Sequence, residues 1–209
     1  MRIGIIGTGN IGGTLARHFA RVGHEVAVAN SRGPETLRDL VAELGETSRA
    51  VTPVEAMDFG EVIVVSIPLG RYRELPSEGA AGKVVIDTNN YYPQRDGHFK
   101  ELDSDSTTSS ELLQAHMKGA RVVKAFNAIY WIHLRDLGRP PGDLERVAIP
   151  ISGDDAQAKR TVARLIDQIG FDPVDAGPLA EGGRKHQPGS DVYTADLSAA
   201  ELRERLGAA

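Results

Sequence analysis

Short runs of aliphatic and β-branched residues recur along the chain, bounded by glycine, proline or polar residues and separated by stretches with helical spacing of apolar positions. Apolar runs of about four to eight residues with turn signals at both ends predict strands. They fall at Arg2–Gly7, Glu25–Asn30, Arg49–Val51, Val62–Ile67, Val84–Asp87, Arg121–Ala125, Val147–Ser152 and Asp172–Asp175. Val62-Ile63-Val64-Val65 lacks any polar alternation, which suits a parallel strand covered on both faces. Helical spacing predicts helices over Ile11–Val22, Pro34–Leu44, Ser109–His116 and Asp154–Ile169, with shorter ones near Pro53–Met57 and at Ala199–Leu206. Thr108 and Glu111 have capping-box spacing. Two segments break the rhythm: the polar and aromatic stretch 89–107, and the chain from Gly177 to about Ser198, where little periodicity remains.

Composition narrows the classes. With 209 residues, 41% hydrophobic and 25% charged, the chain reads as an ordinary soluble protein. A net charge of −5 and the lack of a basic run argue against nucleic acid or an anionic membrane as partner. The absence of cysteine removes disulfides, thiolate nucleophiles and thiolate metal sites. The six histidines show no HxH or HExxH spacing, so no metal site is expected. Met1 runs directly into a strand pattern without a signal-peptide layout, and no apolar run nears the roughly 20 residues of a membrane span. A cytoplasmic location is expected.

The first strand is followed by Gly7-Thr8-Gly9-Asn10-Ile11-Gly12, then by a helical pattern and a second strand. In that context GxGxxG marks a dinucleotide site. The first glycine makes the tight turn, the second admits the pyrophosphate, and the third lets helix and strand pack closely. The fold expected is α/β, a Rossmann-type doubly wound and mainly parallel sheet with a small C-terminal extension. Residues 1–179 form the binding domain and 180–209 the extension, which belongs to the acceptor site or a dimer interface. The second strand ends Asn30-Ser31-Arg32, without the carboxylate that would hold a free ribose 2′-OH. Ser31 and Arg32 offer a hydroxyl and a guanidinium to a 2′-phosphate, so NADP(H) is the expected cofactor. Ser66-Ile67-Pro68 ends the fourth strand and should border it, because ligands lie beyond the carboxyl ends of such strands.

These motifs, with Lys124-Ala125-Phe126-Asn127, Gly153-Asp154-Asp155 and Asp175-Ala176-Gly177-Pro178-Leu179 in order, resemble the NADPH-dependent deazaflavin (coenzyme F-420) reductases. Their relatives include the NADPH domains of metalloreductases. The resemblance spans roughly residues 1–180. It implies a Rossmann domain, often dimeric, with a deazaflavin stacked on the nicotinamide. It also implies that Thr8, Ser31 and Arg32 hold the 2′-phosphate end. Ile67 and Pro68 would then line the nicotinamide half, with Asn127 and Ala128 nearby. Asn10, Ile11, Asn30 and Asn89 complete the expected cofactor set. The chain departs from the family at Asp87-Thr88-Asn89-Asn90-Tyr91-Tyr92-Pro93 and after Leu179, where the expected apolar terminal helix is missing.

Hydride transfer between nicotinamide and deazaflavin or flavin needs alignment more than acid–base residues. Reduction of a carbonyl or imine needs a proton donor. Tyr91, Lys124, Asn127 and His133 are the candidates, and each has a purely structural alternative. Tyr91 and Tyr92 would pack on the sheet edge, Lys124 would be solvated or paired, and the aromatic run around Trp131 and His133 would be core or dimer interface. Arg184, Lys185 and His186 would meet an anionic acceptor or form a solvated face. The leading expectation is an NADP(H)-dependent oxidoreductase that passes hydride to a deazaflavin (coenzyme F-420) or a flavin, with a small-molecule acceptor as partner and a homodimer as assembly. A small carbonyl or imine in a cleft between residues 89–93 and 126–133 is the alternative substrate. A non-catalytic NADPH sensor is the third reading.

Overall fold

A computed structural model describes residues 1–207. From the N-terminus run β1 (Arg2–Ile6), α1 (Asn10–Arg21), β2 (Glu25–Ala29), a 3₁₀ turn at Pro34–Leu37 leading into α2 (Arg38–Leu44), β3 (Ser48–Ala50), α3 (Pro53–Phe59) and β4 (Val62–Val65). After a 3₁₀ segment at Leu69–Glu74 come β5 (Val84–Asp87), α4 (Pro93–Asp96), α5 (Lys100–Asp103), α6 (Ser109–His116), β6 (Arg121–Lys124) and α7 (Trp131–Asp136). The chain closes with β7 (Ala148–Gly153), α8 (Ala156–Gln168), β8 (Asp172–Gly177), α9 (Leu179–Lys185) and α10 (Ala199–Leu206).

All eight strands join one sheet in the order β3-β2-β1-β4-β5-β6-β7-β8. The pairings from β3 across to β6 are parallel. β7 runs antiparallel to β6, and β8 parallel to β7. This is the expected mainly parallel, doubly wound sheet. Strand direction along the chain reverses its spread between β1 and β4, which opens a crevice at their carboxyl ends.

Period-two side-chain alternation divides the core between the two faces. Ile3, Ile5, Val62 and Val64 pack with Leu15 and Phe19 of α1 and with Leu165 of α8. Ile6, Ile63, Val65 and Val85 pack with Met57 of α3 and Leu113 of α6. Burial of both faces explains why the strand runs carry no polar alternation.

Element ends match the sequence to within a few residues, and the differences have local causes. The capping box at Thr108 forms as expected. The helix expected from Asp154 starts two residues later because Asp155 is its cap, accepting from the Ala158 N–H at 2.6 Å. Asp154 instead accepts from the Leu179 N–H at 2.9 Å. That bond introduces α9, a helix that the aperiodic stretch after Gly177 did not predict, whereas α10 forms at Ala199–Leu206 as expected. α9 escapes a hydrophobicity reading because its buried face is Leu179, Gly182 and Gly183. A Cβ on Gly182 would sit 2.7 Å from the Ala176 carbonyl, so the helix packs onto the sheet through bare backbone. α10 folds back with Leu202 and Leu206 against Ala148, Val174 and Ala176 at the β7–β8 edge. No helix among the described residues is long and apolar enough to cross a membrane.

Candidate functional site

The carboxyl end of β1 turns through Gly7, whose φ of 101° lies in the region L side chains avoid. α1 then begins with no side-chain cap and no acidic residue in its first turn. Its unpaired N–H groups and the helix dipole leave a place for an anion. A cavity of about 320 Å³ opens there, bordered by Gly7, Thr8 and Gly9, by Asn30, Ser31 and Arg32, and by Ser66, Ile67 and Pro68. A second cavity of about 330 Å³ shares Gly9, Ser66, Ile67 and Pro68 and extends to Asn10, Ile11, Asn89 and Asn127. The sequence motifs therefore converge on one continuous trough across the strand ends. Gly12 lies buried beneath the loop. Ala128 is also buried and contributes its carbonyl to the Thr194 N–H at 2.8 Å, behind the trough wall.

The first cavity suits the 2′-phosphate end. Asn30 spends its side chain on the loop itself, accepting from the Arg32 N–H and donating to Thr36 Oγ1, both at 2.9 Å. It shapes the strand tip and leaves Ser31 and Arg32 to face the ligand. One residue the sequence reading missed is Arg71, in the 3₁₀ segment after β4. It borders the same cavity and donates to Ser31 Oγ at 3.3 Å. Its other partner is the Glu74 carboxylate at 2.6 Å. Two guanidiniums and a hydroxyl from separate loops thus meet where a phosphate would lie. No spacing rule marks Arg71, because it reaches the strand tip only once β4 lies beside β1.

The second cavity has an aromatic wall: Tyr92, Phe126, Tyr130, Trp131 and Tyr193, with Arg95 and Asn90 as polar members. It occupies the cleft expected between residues 89–93 and 126–133. Of the four candidate proton donors, only Asn127 borders it. Tyr91 points behind the wall, donating to Asp103 at 2.6 Å and packing edge-on against Phe99. His133 lies outside the lining and pairs with Asp196 at 2.7 Å. Lys124 is neither solvated nor paired with a carboxylate. Only 1% exposed, it donates to the Asn89 carbonyl at 2.9 Å and to Ser109 and Ser110 at 3.1 and 3.3 Å. Burial pushes its pKa down, against the pull of nearby Asp87. Its work is to fix Asn89, whose Oδ1 accepts from the Ile67 N–H at 3.0 Å and holds the turn after β4. The Asn89 Nδ2 is buried and has no hydrogen-bond partner among the described residues.

The expected basic cluster at Arg184–His186 is dispersed. Arg184 faces Asp105, and Lys185 donates to the Leu206 carbonyl. His186 is fully buried, with its ring between Asn127 Oδ1 at 2.9 Å and Ser152 Oγ at 2.7 Å. Asn127 Nδ2 already donates to Asn90 Oδ1 and the His186 carbonyl, so its Oδ1 is the acceptor. His186 is therefore the Nδ1–H tautomer, and Ser152 donates to Nε2. Burial first, and the Lys124 charge second, hold its pKa well below the ordinary value. Buried His18 is lowered as well, chiefly by burial. The unfolded chain therefore binds more protons than the folded one below about pH 6.5. Stability should be fully present above that pH and fall as the pH drops through it, by up to roughly 1.4 kcal/mol per pH unit for each histidine. Urea unfolding between about pH 7 and 5 checks this. His186→Gln should flatten the slope, and a slope unchanged in the variant would place the titration elsewhere.

Known proteins resemble this chain at the level of family and fold. Residues 2–91 match the family described as NADP oxidoreductase, coenzyme F420-dependent. A hypothetical protein of Sinorhizobium meliloti superposes with a TM-score of 0.80 at 30% identity, over 95% of each chain. An Arthrobacter sp. FB24 protein assigned by name to the F420-dependent NADP reductases superposes with a TM-score of 0.74 at 26% identity, over 99% of this chain and 95% of that one. Rat metalloreductase STEAP3 is 32% identical over 182 residues, 86% of this chain. The chain spans about a third (34%) of the length of that relative.

Proposed function

We propose that the chain, whose residues 2–91 match the coenzyme F420-dependent NADP oxidoreductase family, is an NADP(H)-dependent oxidoreductase of that kind and passes hydride between NADPH and a deazaflavin or flavin bound in the aromatic cavity. The observation that carries this reading is the single trough with two unlike halves, one bearing Arg32 and Arg71 and the other walled by Tyr92, Tyr130, Trp131 and Tyr193. NADPH, when bound, supplies the hydride. The protein's part is to bind, align and exclude water. Ser31, Arg32 and Arg71 would hold the 2′-phosphate, and the first turn of α1 the pyrophosphate. Ile67, Pro68 and the Asn89 amide would set the nicotinamide against the aromatic wall. The same reading takes a cytoplasmic setting, supported by the cysteine-free sequence, and a homodimer as the assembly.

An acceptor screen followed by NADPH absorbance tests it, with deazaflavin, FMN, FAD and a ferric chelate side by side. Deazaflavin-dependent or flavin-dependent NADPH oxidation is expected. Turnover of the ferric chelate alone would overturn the reading. Small carbonyls or imines are the second reading, favoured by the phenols of Tyr92 and Tyr193 at the cavity wall.

A further inference from the structure

The Tyr92 and Tyr193 phenols of the second cavity together carry one more hydrogen than the protein uses. Tyr92 and Tyr193 are hydrogen-bonded through their hydroxyls. Among the described residues, the one other polar contact of either hydroxyl is a donation from Asn90 Nδ2 to Tyr193 at 3.4 Å. That contact consumes a lone pair and no hydrogen. Two hydroxyl hydrogens are present, their mutual bond takes one, and no acceptor among the described residues takes the other. Both residues line the cavity, so the spare hydrogen faces it.

The pair is held in place. Tyr92 caps the start of α4, and its N–H donates to Asp96 at 2.9 Å. Tyr193 is held by its neighbour Thr194, whose N–H donates to the Ala128 carbonyl at 2.8 Å. Asn90 is fixed by the Asn127 carbonyl at 2.8 Å. The charges around the pair are Arg95, 4.9 Å from the Tyr92 ring centre, and Asp96, which binds Arg95 at 2.9 Å. Behind Asn90 lie Asn127 and the neutral His186.

We propose that the Tyr92–Tyr193 pair is the proton donor for an organic acceptor, one with a C=N or C=O group conjugated to the carbon that takes the hydride. This rests on the hydride-transfer reading and narrows its substrate class. As the acceptor carbon gains hydride, its conjugated nitrogen or oxygen gains an electron pair. The phenol O–H bond breaks, a new N–H or O–H bond forms, and a phenolate remains. That phenolate accepts the O–H of the second phenol, with the Arg95 guanidinium over the Tyr92 ring, until water returns the proton. Burial and the bond to Tyr92 raise the Tyr193 pKa, so Tyr193 keeps its proton at neutral pH. A ferric chelate takes electrons without a proton and gains nothing from the pair.

The experiment compares wild type, Tyr92→Phe, Tyr193→Phe and the double variant. Three readouts are used: deazaflavin or FMN turnover with NADPH across pH, NADP⁺ binding, and binding of oxidised FMN without NADPH by fluorescence. General acids contribute about 100-fold or more, so the double variant should lose at least about 100-fold in kcat while binding NADP⁺ as tightly as wild type. Wild-type kcat should stay level to about pH 9, whereas the double variant's should fall as pH rises, because water must supply the proton. FMN binding should change by no more than about tenfold, as expected for one lost hydrogen bond. Turnover that survives with an unchanged pH profile overturns the phenol assignment alone. Loss of FMN binding in step with kcat makes the pair a binding element and also overturns it. No turnover by wild type with either acceptor overturns the hydride-transfer reading and this one with it.

Discussion

Gly9→Val should fold as well as wild type and lose NADPH binding. A Cβ at Gly9 meets nothing within 4 Å, and the backbone there is extended (φ −72°, ψ −160°), so a β-branched residue is accommodated. Its side chain would fill the space over the first turn of α1 where the pyrophosphate must approach. Tm should stay within about 2 °C of wild type. Affinity for NADPH should fall by at least about 100-fold, or ~2.7 kcal/mol. Gly12→Ala is the contrasting control: its Cβ would lie 1.9 Å from the Gly7 carbonyl oxygen. Overpacking of this kind costs about 1–3 kcal/mol, so the control should lose stability. Thermal melts and NADPH fluorescence titrations separate the two. Wild-type affinity in Gly9→Val would remove the phosphates from the α1 terminus.

Arg32→Ala should weaken NADPH binding by roughly 10- to 100-fold, since a hydrogen bond to a charged group contributes about 1.5–3 kcal/mol. NADH, which lacks the 2′-phosphate, should bind the variant nearly as it binds wild type. Arg71→Ala should show the same preference with a smaller loss, because Arg71 must first give up Glu74. Titration of each variant with NADPH and NADH provides the comparison. Equal loss for both cofactors would assign these guanidiniums to the adenine, by stacking, and not to the phosphate.

Sequence made legible what local chemistry dictates. The strands announce themselves because a doubly covered sheet needs continuous apolar runs, and the glycine loop because each glycine answers a steric demand next to it. The cofactor half of the trough is built from three strand ends, each adjoining a readable motif. The acceptor half is assembled from distant segments, and reading it one residue at a time failed. Tyr91 and Tyr92 are neighbours, yet strand-like alternation and the start of α4 turn Tyr91 to Asp103 and leave Tyr92 in the cavity. Tyr193 comes from an aperiodic stretch and meets Tyr92 only because α9 and α10 fold back on the β7–β8 edge. His186 looked like one of three surface charges, but the helix built on Gly182 and Gly183 carries it inward. Burial decided each of these positions, and burial of single polar side chains is a property of the assembled sheet.

Direct hydride transfer across the trough is the central claim, and an isotope label tests it most directly. The protein is mixed with oxidised deazaflavin and NADPH carrying deuterium at both hydrogens of the nicotinamide C4, and the reduced acceptor is analysed by mass spectrometry. The account expects one deuterium per reduced ring, carbon-bound and retained in ordinary water. A reduced acceptor without deuterium, or NADPH left intact beside the deazaflavin, would contradict it.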